Sequence, residues 1–192
     1  MSKKIRQREN YLGYHLLIAM PSLKDRNFDH TVSLICEHNE QGAMGFVLNR
    51  PTALPIIDLL DHMDIEVTVA LDPNLRLHNG GPVQPERGFV IHTPIGGWNS
   101  TLEVNSEIGI TASRDILEAI ANGEGPEKQI ITLGYAGWGE GQLEQEICDN
   151  SWLSVPVETP LVFDTEGVQL WKESANRIGI DISLLTTEAG HA

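Results

Sequence analysis

A chain of 192 residues with 41% hydrophobic and 21% charged content has the composition of a soluble globular protein, with length enough for one full core. Its formal net charge is −14; of 13 basic and 27 acidic residues the first ten positions hold four and one, leaving 9 and 26 and a net of −17 on the remainder. A body that acidic repels phosphate backbones, so direct nucleic-acid binding is not expected, and the basic start (Lys3, Lys4, Arg6, Arg8) reads as a flexible arm, 1–13, ahead of a single domain, 14–192.

The apolar run after the arm covers only residues 16–20, whereas an export signal needs about 7–15 apolar residues and a cleavage site. No run is long enough to span a bilayer. Two cysteines, Cys36 and Cys148, suit a reducing compartment, and a cytoplasmic location without membrane attachment is expected.

In chain order, residues 14–20 read as a strand stopped by Pro21. Residues 31–37 and 43–49 read as a β-hairpin around His38–Gly42. Pro51 is expected to end the second arm, because proline cannot donate to a ladder. A helix from Pro55 to Met63 places Ile56, Leu59, Leu60 and Met63 on one face. Residues 75–78 and 88–93 are strands on either side of the Asn79-Gly80-Gly81-Pro82 turn, and Trp98 lies in a loop over the core or at a surface. Residues 102–104 and 108–111 pair around Asn105-Ser106-Glu107. Ser113 is a candidate cap for a helix to Ala121 that buries Ile116, Leu117 and Ile120, with Asp115 in its first turn.

Residues 129–135 form an apolar strand that leads through Gly137, Gly139 and Gly141 into a short helix, then a strand from Trp152. This order invites comparison with phosphate loops, but the spacing is neither G-x-G-x-x-G nor G-x-x-x-x-G-K-[ST]. Glu140, Glu144 and Glu146 already place negative charge at the positive end of that helix. The stretch therefore reads as a structural junction, with Leu143 and Ile147 turned inward, Asn150 in the left-handed end position and Trp152 buried. Residues 161–163 read as a strand. The last helix takes Val168, Trp171, Ala175 and Ile178 as its buried face and Glu173–Arg177 as an outward pair, with Gly179 as the stop. Residues 180–185 read as a final strand. Strands outnumber helices without strict alternation, which gives an α+β fold in one domain.

Six blocks in this order resemble the AlgH/YqgE family: HLLIAMP (15–21), ICEHNEQGAMGFVLNRP (35–51), GGPV (80–83), RGFVIHTP (87–94), TASRDIL (111–117) and GYAGWGEGQLEQEICDNSW (134–152). The resemblance implies a mixed or antiparallel, bifurcated or barrel-like β-sheet surrounded by helices. It implies no established catalytic residues, and AlgH members are named as regulators of alginate synthesis.

On a strand Cys36 and His38 point the same way, but zinc needs three or four ligands and no C-x-x-C or H-x-x-x-H completes the set. No metal and no cofactor are expected. No G-x-S-x-G supports a serine nucleophile. The best candidate site gathers strand and helix ends: Asn49 and Arg50, the Gly80-Gly81 turn, Arg87, His92, and Arg114 at a helix start. Converging, they would form an anion- or carboxylate-binding cleft, with Arg50, Arg87 and His92 on one side near the turn. Otherwise each arginine pairs with a local acid such as Asp29, Glu86 or Asp115. The leading reading is a cytoplasmic regulatory or binding protein acting through a protein partner or small anionic ligand. The alternative is an enzyme with its site in those arginine and histidine loops.

Overall fold

The computed structural model describes residues 11–185. They form β1 (His15–Ala19), β2 (Val32–Asn39), β3 (Gly42–Val47), β4 (Pro51–Pro55), α1 (Ile56–His62), β5 (Arg76–Asn79), β6 (Val83–Thr93), β7 (Thr101–Glu103) and β8 (Gly109–Thr111). Then come α2 (Arg114–Ala121), β9 (Lys128–Trp138), α3 (Gln142–Cys148), β10 (Trp152–Pro156), α4 (Thr159–Phe163), α5 (Gly167–Asn176) and a 3-10 turn, Ile182–Leu184. The ten strands build one curled half-barrel sheet, and the class is α+β. Its main path runs β10-β1-β2-β3-β9-β6-β8-β7 with every neighbour antiparallel; β5 pairs with β9 in parallel and with β4.

The sheet turns on β9. One of its edges is taken by β6, from Lys128 opposite Thr93 to Tyr135 opposite Val83. A strand has two edges, so β5 (at Ile131–Leu133) and β3 (at Ala136–Trp138) share the other end to end, and the sheet forks where they meet. Gly80 and Gly81 make that crossing possible. A Cβ on Gly80 would lie 2.3 Å from the Gly134 carbonyl oxygen, and one on Gly81 would lie 2.3 Å from that of Tyr135. Gly134 itself holds φ +73°.

Side-chain alternation then divides the interior. Leu16 and Ile18 of β1 join Phe46, Phe89, Ile91 and Trp171 on the face covered by α5. Their neighbours Leu17 and Ala19 face the other way, onto Trp138, Leu143 and Trp152 beneath α3. Further along that opposite face, Val90 and Ile131 meet Ile56, Leu60, Ile116 and Ile120 of α1 and α2. Both faces of the sheet are buried, so strands such as Leu16–Ala19 are apolar at every position.

Several sequence expectations change. Pro51 opens β4 instead of only ending β3, because at an edge its missing N–H costs no ladder bond. Residues 161–163 lie in helix α4, whose start at Thr159-Pro160 suits proline in a first turn. Residues 180–185 carry the 3-10 turn, with the Asp181 carboxylate accepting from the Ser183 amide at 3.1 Å. On α5 the buried residues are Leu170, Trp171, Ser174 and Ala175. Val168 is 57% exposed in the first turn, and Ile178, beyond the helix end, is 43% exposed. Glu173 accepts from Gln169, and Arg177 reaches Glu158 at 3.4 Å instead of pairing with Glu173. At the end of the stretch read as an arm, the Leu12 amide donates to His38 Nδ1 at 2.9 Å and Tyr11 packs edge-on against that imidazole. Residues 1–10 of the arm lie outside the described residues.

Candidate functional site

The candidate residues separate into structural ties and one cleft. Asn49 is a clamp: its carbonyl accepts from Val32 N at 2.9 Å while its amide donates to the His30 and Gly167 carbonyls. Arg50 donates to the Asp29 main-chain carbonyl at 2.8 Å, away from the other arginines' cleft. Gly80 and Gly81 are consumed by the strand crossing. His92 is fully buried. Its Nδ1 donates to the Pro94 carbonyl at 2.9 Å, so Nε2 is the lone-pair end and accepts from the Thr111 hydroxyl at 2.8 Å. Burial pushes its pKa below the ordinary value, against a smaller upward pull from the Pro94 hydrogen bond.

Arg87 and Arg114 border one space. Both line a cleft of about 280 Å³ between the end of α1, β6 and the start of α2. Its floor is apolar, from Leu59, Met63, Val90, Leu117 and Ile131. Arg114 is one wall, tying α2 to α1 through donations to the Met63 (2.6 Å) and Asp64 (3.1 Å) carbonyls, with Nε on Glu118 at 2.7 Å. These acceptors lie at the carboxyl end of α1, where a cation complements the helix dipole. Arg87 is held far less. It makes one 3.4 Å contact with Gln84 Oε1, and its guanidinium carbon sits 5.0 Å over the Phe89 ring. Its fork therefore has donors to spare on a residue that borders an apolar space, with Glu86 as the neighbouring carboxylate. Thr111, in the wall, links the cleft to buried His92.

The start of α2 is fixed by a carboxylate rather than a hydroxyl. Ser113 holds the cap position without capping, and Asp115 accepts from the Asn99 (2.8 Å) and Ile116 (3.0 Å) amides. Burial works to raise the Asp115 pKa, but hydrogen bonds from Ser113 and these amides outweigh it and hold the carboxylate below its ordinary range. Among the described residues no three His, Cys, Asp or Glu side chains gather in a metal-binding cluster. Cys36 donates to the Met44 carbonyl at 3.3 Å, and burial raises its thiol to about 12, while His38 turns to Leu12 and Glu144. A bulge between Ile35 and Glu37 interrupts the regular pairing there.

What sequence reasoning missed is the floor. Leu59 and Met63 were visible as an apolar helix face and Leu117 as another, but nothing local shows that these faces leave a gap between them.

The profile of the AlgH-like family matches residues 16–183, nearly the whole domain. The chain belongs to that family. A UPF0301 protein of Methylococcus capsulatus is 50% identical over 181 residues, 94% of this chain and 96% of that one. One from Thioalkalivibrio sulfidiphilus is 53% identical over 176 residues. The solution structure of AlgH from Pseudomonas aeruginosa superposes with a TM-score of 0.75 at 47% identity, covering 95% and 97% of the two chains. A Corynebacterium diphtheriae protein at 22% identity and TM-score 0.71 shares the fold. These AlgH-like relatives supply a family and an architecture. No helix among the described residues is long and apolar enough to cross a membrane.

Proposed function

We propose that this AlgH-like chain is a cytoplasmic binding protein whose cleft takes a small anion with an apolar body. The observation that carries this is Arg87, a cation with spare donors that borders an apolar cleft of about 280 Å³. An acyl or aryl body would cover Leu59, Met63 and Leu117, and a carboxylate would reach the Arg87 fork. Arg114 positions the wall and contributes field, since its donors are already engaged. The acidic chain disfavours polyanions, which is why a small ligand fits better than nucleic acid.

Calorimetric titration with short fatty and aryl carboxylates tests the reading. Saturable binding is expected, weakened about tenfold, or about 1.4 kcal/mol, by Arg87→Gln, with little change in thermal stability. Equal affinity in Arg87→Gln, or no saturable binding of any carboxylate, would overturn it.

A further inference from the structure

A second cavity lies across the sheet from the cleft. On β5, Leu77 pairs with Ile131 and enters the core beneath α1 and α2, so Arg76 and His78 project from the other face, about 7 Å apart along the strand. They open into a pocket of about 500 Å³ walled by the α4–α5 corner, a volume within the roughly 300–1,000 Å³ of small-ligand sites. Ile130 lines this pocket while Ile131 lines the cleft, so one strand separates the two spaces.

The polar groups here are unusually unoccupied. Arg76 is only half-exposed, yet it makes no hydrogen bond or ion pair with any described residue. His78 Nδ1 donates to the Leu48 carbonyl at 2.7 Å, which fixes the tautomer and leaves the Nε2 lone pair without a partner among the described residues. Burial lowers the His78 pKa, against smaller upward pulls from the Leu48 bond and from Glu166, so a neutral acceptor persists. The Glu166 carboxylate has no hydrogen-bond partner among the described residues either, whereas Asp72 already accepts from the Asn74 amide at 2.8 Å.

The charge pattern selects a ligand class. One guanidinium faces two carboxylates, Glu166 and Asp72, with His78 neutral. A phosphate or dicarboxylate would satisfy Arg76 but meet both acids. A simple amine would satisfy the acids and leave Arg76 unmatched. A zwitterion answers both ends. Leu48, Ile130, Val162 and Phe163 give the wall an apolar part, and Asn74, Thr165 and Gln129, whose buried Oε1 has no partner among the described residues, add uncharged polar groups.

We infer that this pocket binds a free α-amino acid, with its carboxylate on Arg76, its ammonium on His78 Nε2 and Glu166, and its side chain against Val162 and Phe163. The site is independent of the Arg87 cleft and shares none of its residues.

The test is calorimetric titration of the full chain with the common L-amino acids one at a time. Each that binds is compared with its methyl ester, which lacks the carboxylate, and its des-amino acid, which lacks the ammonium. Expected is saturable binding of at least one amino acid, at least about tenfold weaker for both analogues and for Arg76→Gln, and unchanged in Arg87→Gln. The Arg76 side chain makes no hydrogen bond or ion pair with any described residue, so its replacement is expected to leave folding intact. Should Arg76→Gln nevertheless misfold, exposed Glu166→Gln decides through the ammonium end, where about tenfold weakening supports the site and unchanged affinity refutes it. No saturable binding of any amino acid at millimolar concentration, des-amino acids binding as tightly as amino acids, or unchanged affinity in Arg76→Gln would overturn the assignment.

Discussion

Glu146 shows how a residue's role depends on what the fold brings to it. In sequence it is one of three acids near a helix start. In the fold its Oε2 accepts from the indoles of Trp138 (2.9 Å) and Trp152 (2.8 Å), and its Oε1 from Gln142. Glu144 likewise meets His38 at 3.0 Å. Two histidines show the converse, since both His78 and His92 are held neutral by burial, below the ordinary value of 6.5. The unfolded chain therefore binds more protons than the native one as pH falls through about 6.5. Their contribution to stability is complete above that pH and is lost below it, towards the depressed folded values. Urea melts between about pH 7.5 and 5.5 are expected to show stability falling with pH, with a shallower slope in His92→Gln. An unchanged slope would mean that His92 titrates normally.

Among elements, the β9–α3–β10 junction matches its sequence reading most closely. The strand is longer than the apolar run suggests, reaching Trp138, because Gly134 at φ +73° lets it turn from β6 towards β3. Asn150 takes φ +55° before β10, and Trp152 is buried between Phe28 and Trp138. Trp152→Ala is expected to cost about 3–5 kcal/mol in urea melts, for the lost aromatic volume and the lost partner of Glu146. A cost under about 1 kcal/mol would contradict the packing. The α4 and 3-10 segments were illegible because Leu161-Val162-Phe163 is a short apolar run and Ile182-Ser183-Leu184 a short alternating one, too short for periodicity to separate strand from helix.

At the scale of the whole molecule, charge supports a firm expectation about nucleic acid. Chain lacking residues 1–10 should give no anisotropy change with duplex DNA at about 0.15 M salt. Any residual binding of the full chain should fall with salt, at a log–log slope no steeper than about −4, since Lys3, Lys4, Arg6 and Arg8 are the cations clustered there. Tight binding by the truncated chain would refute this. Composition, turn chemistry and strand-length apolar runs determined the α+β class, the β2–β3 hairpin, the α2 core face and the buried junction, because each rests on contacts or dihedrals within a few residues. The grouping of the polar residues was decided only by the tertiary structure. Arg87 and Arg114 border one cleft because the end of α1 and the start of α2 lie beside β6, while Arg50 and His92 end elsewhere. Arg76 and His78 matter because the fork at Gly80-Gly81 places β5 between β4 and β9 with one face open. Which side chains share a pocket with an arginine is decided by long-range packing, and residues 76 and 166, ninety positions apart, line the same one.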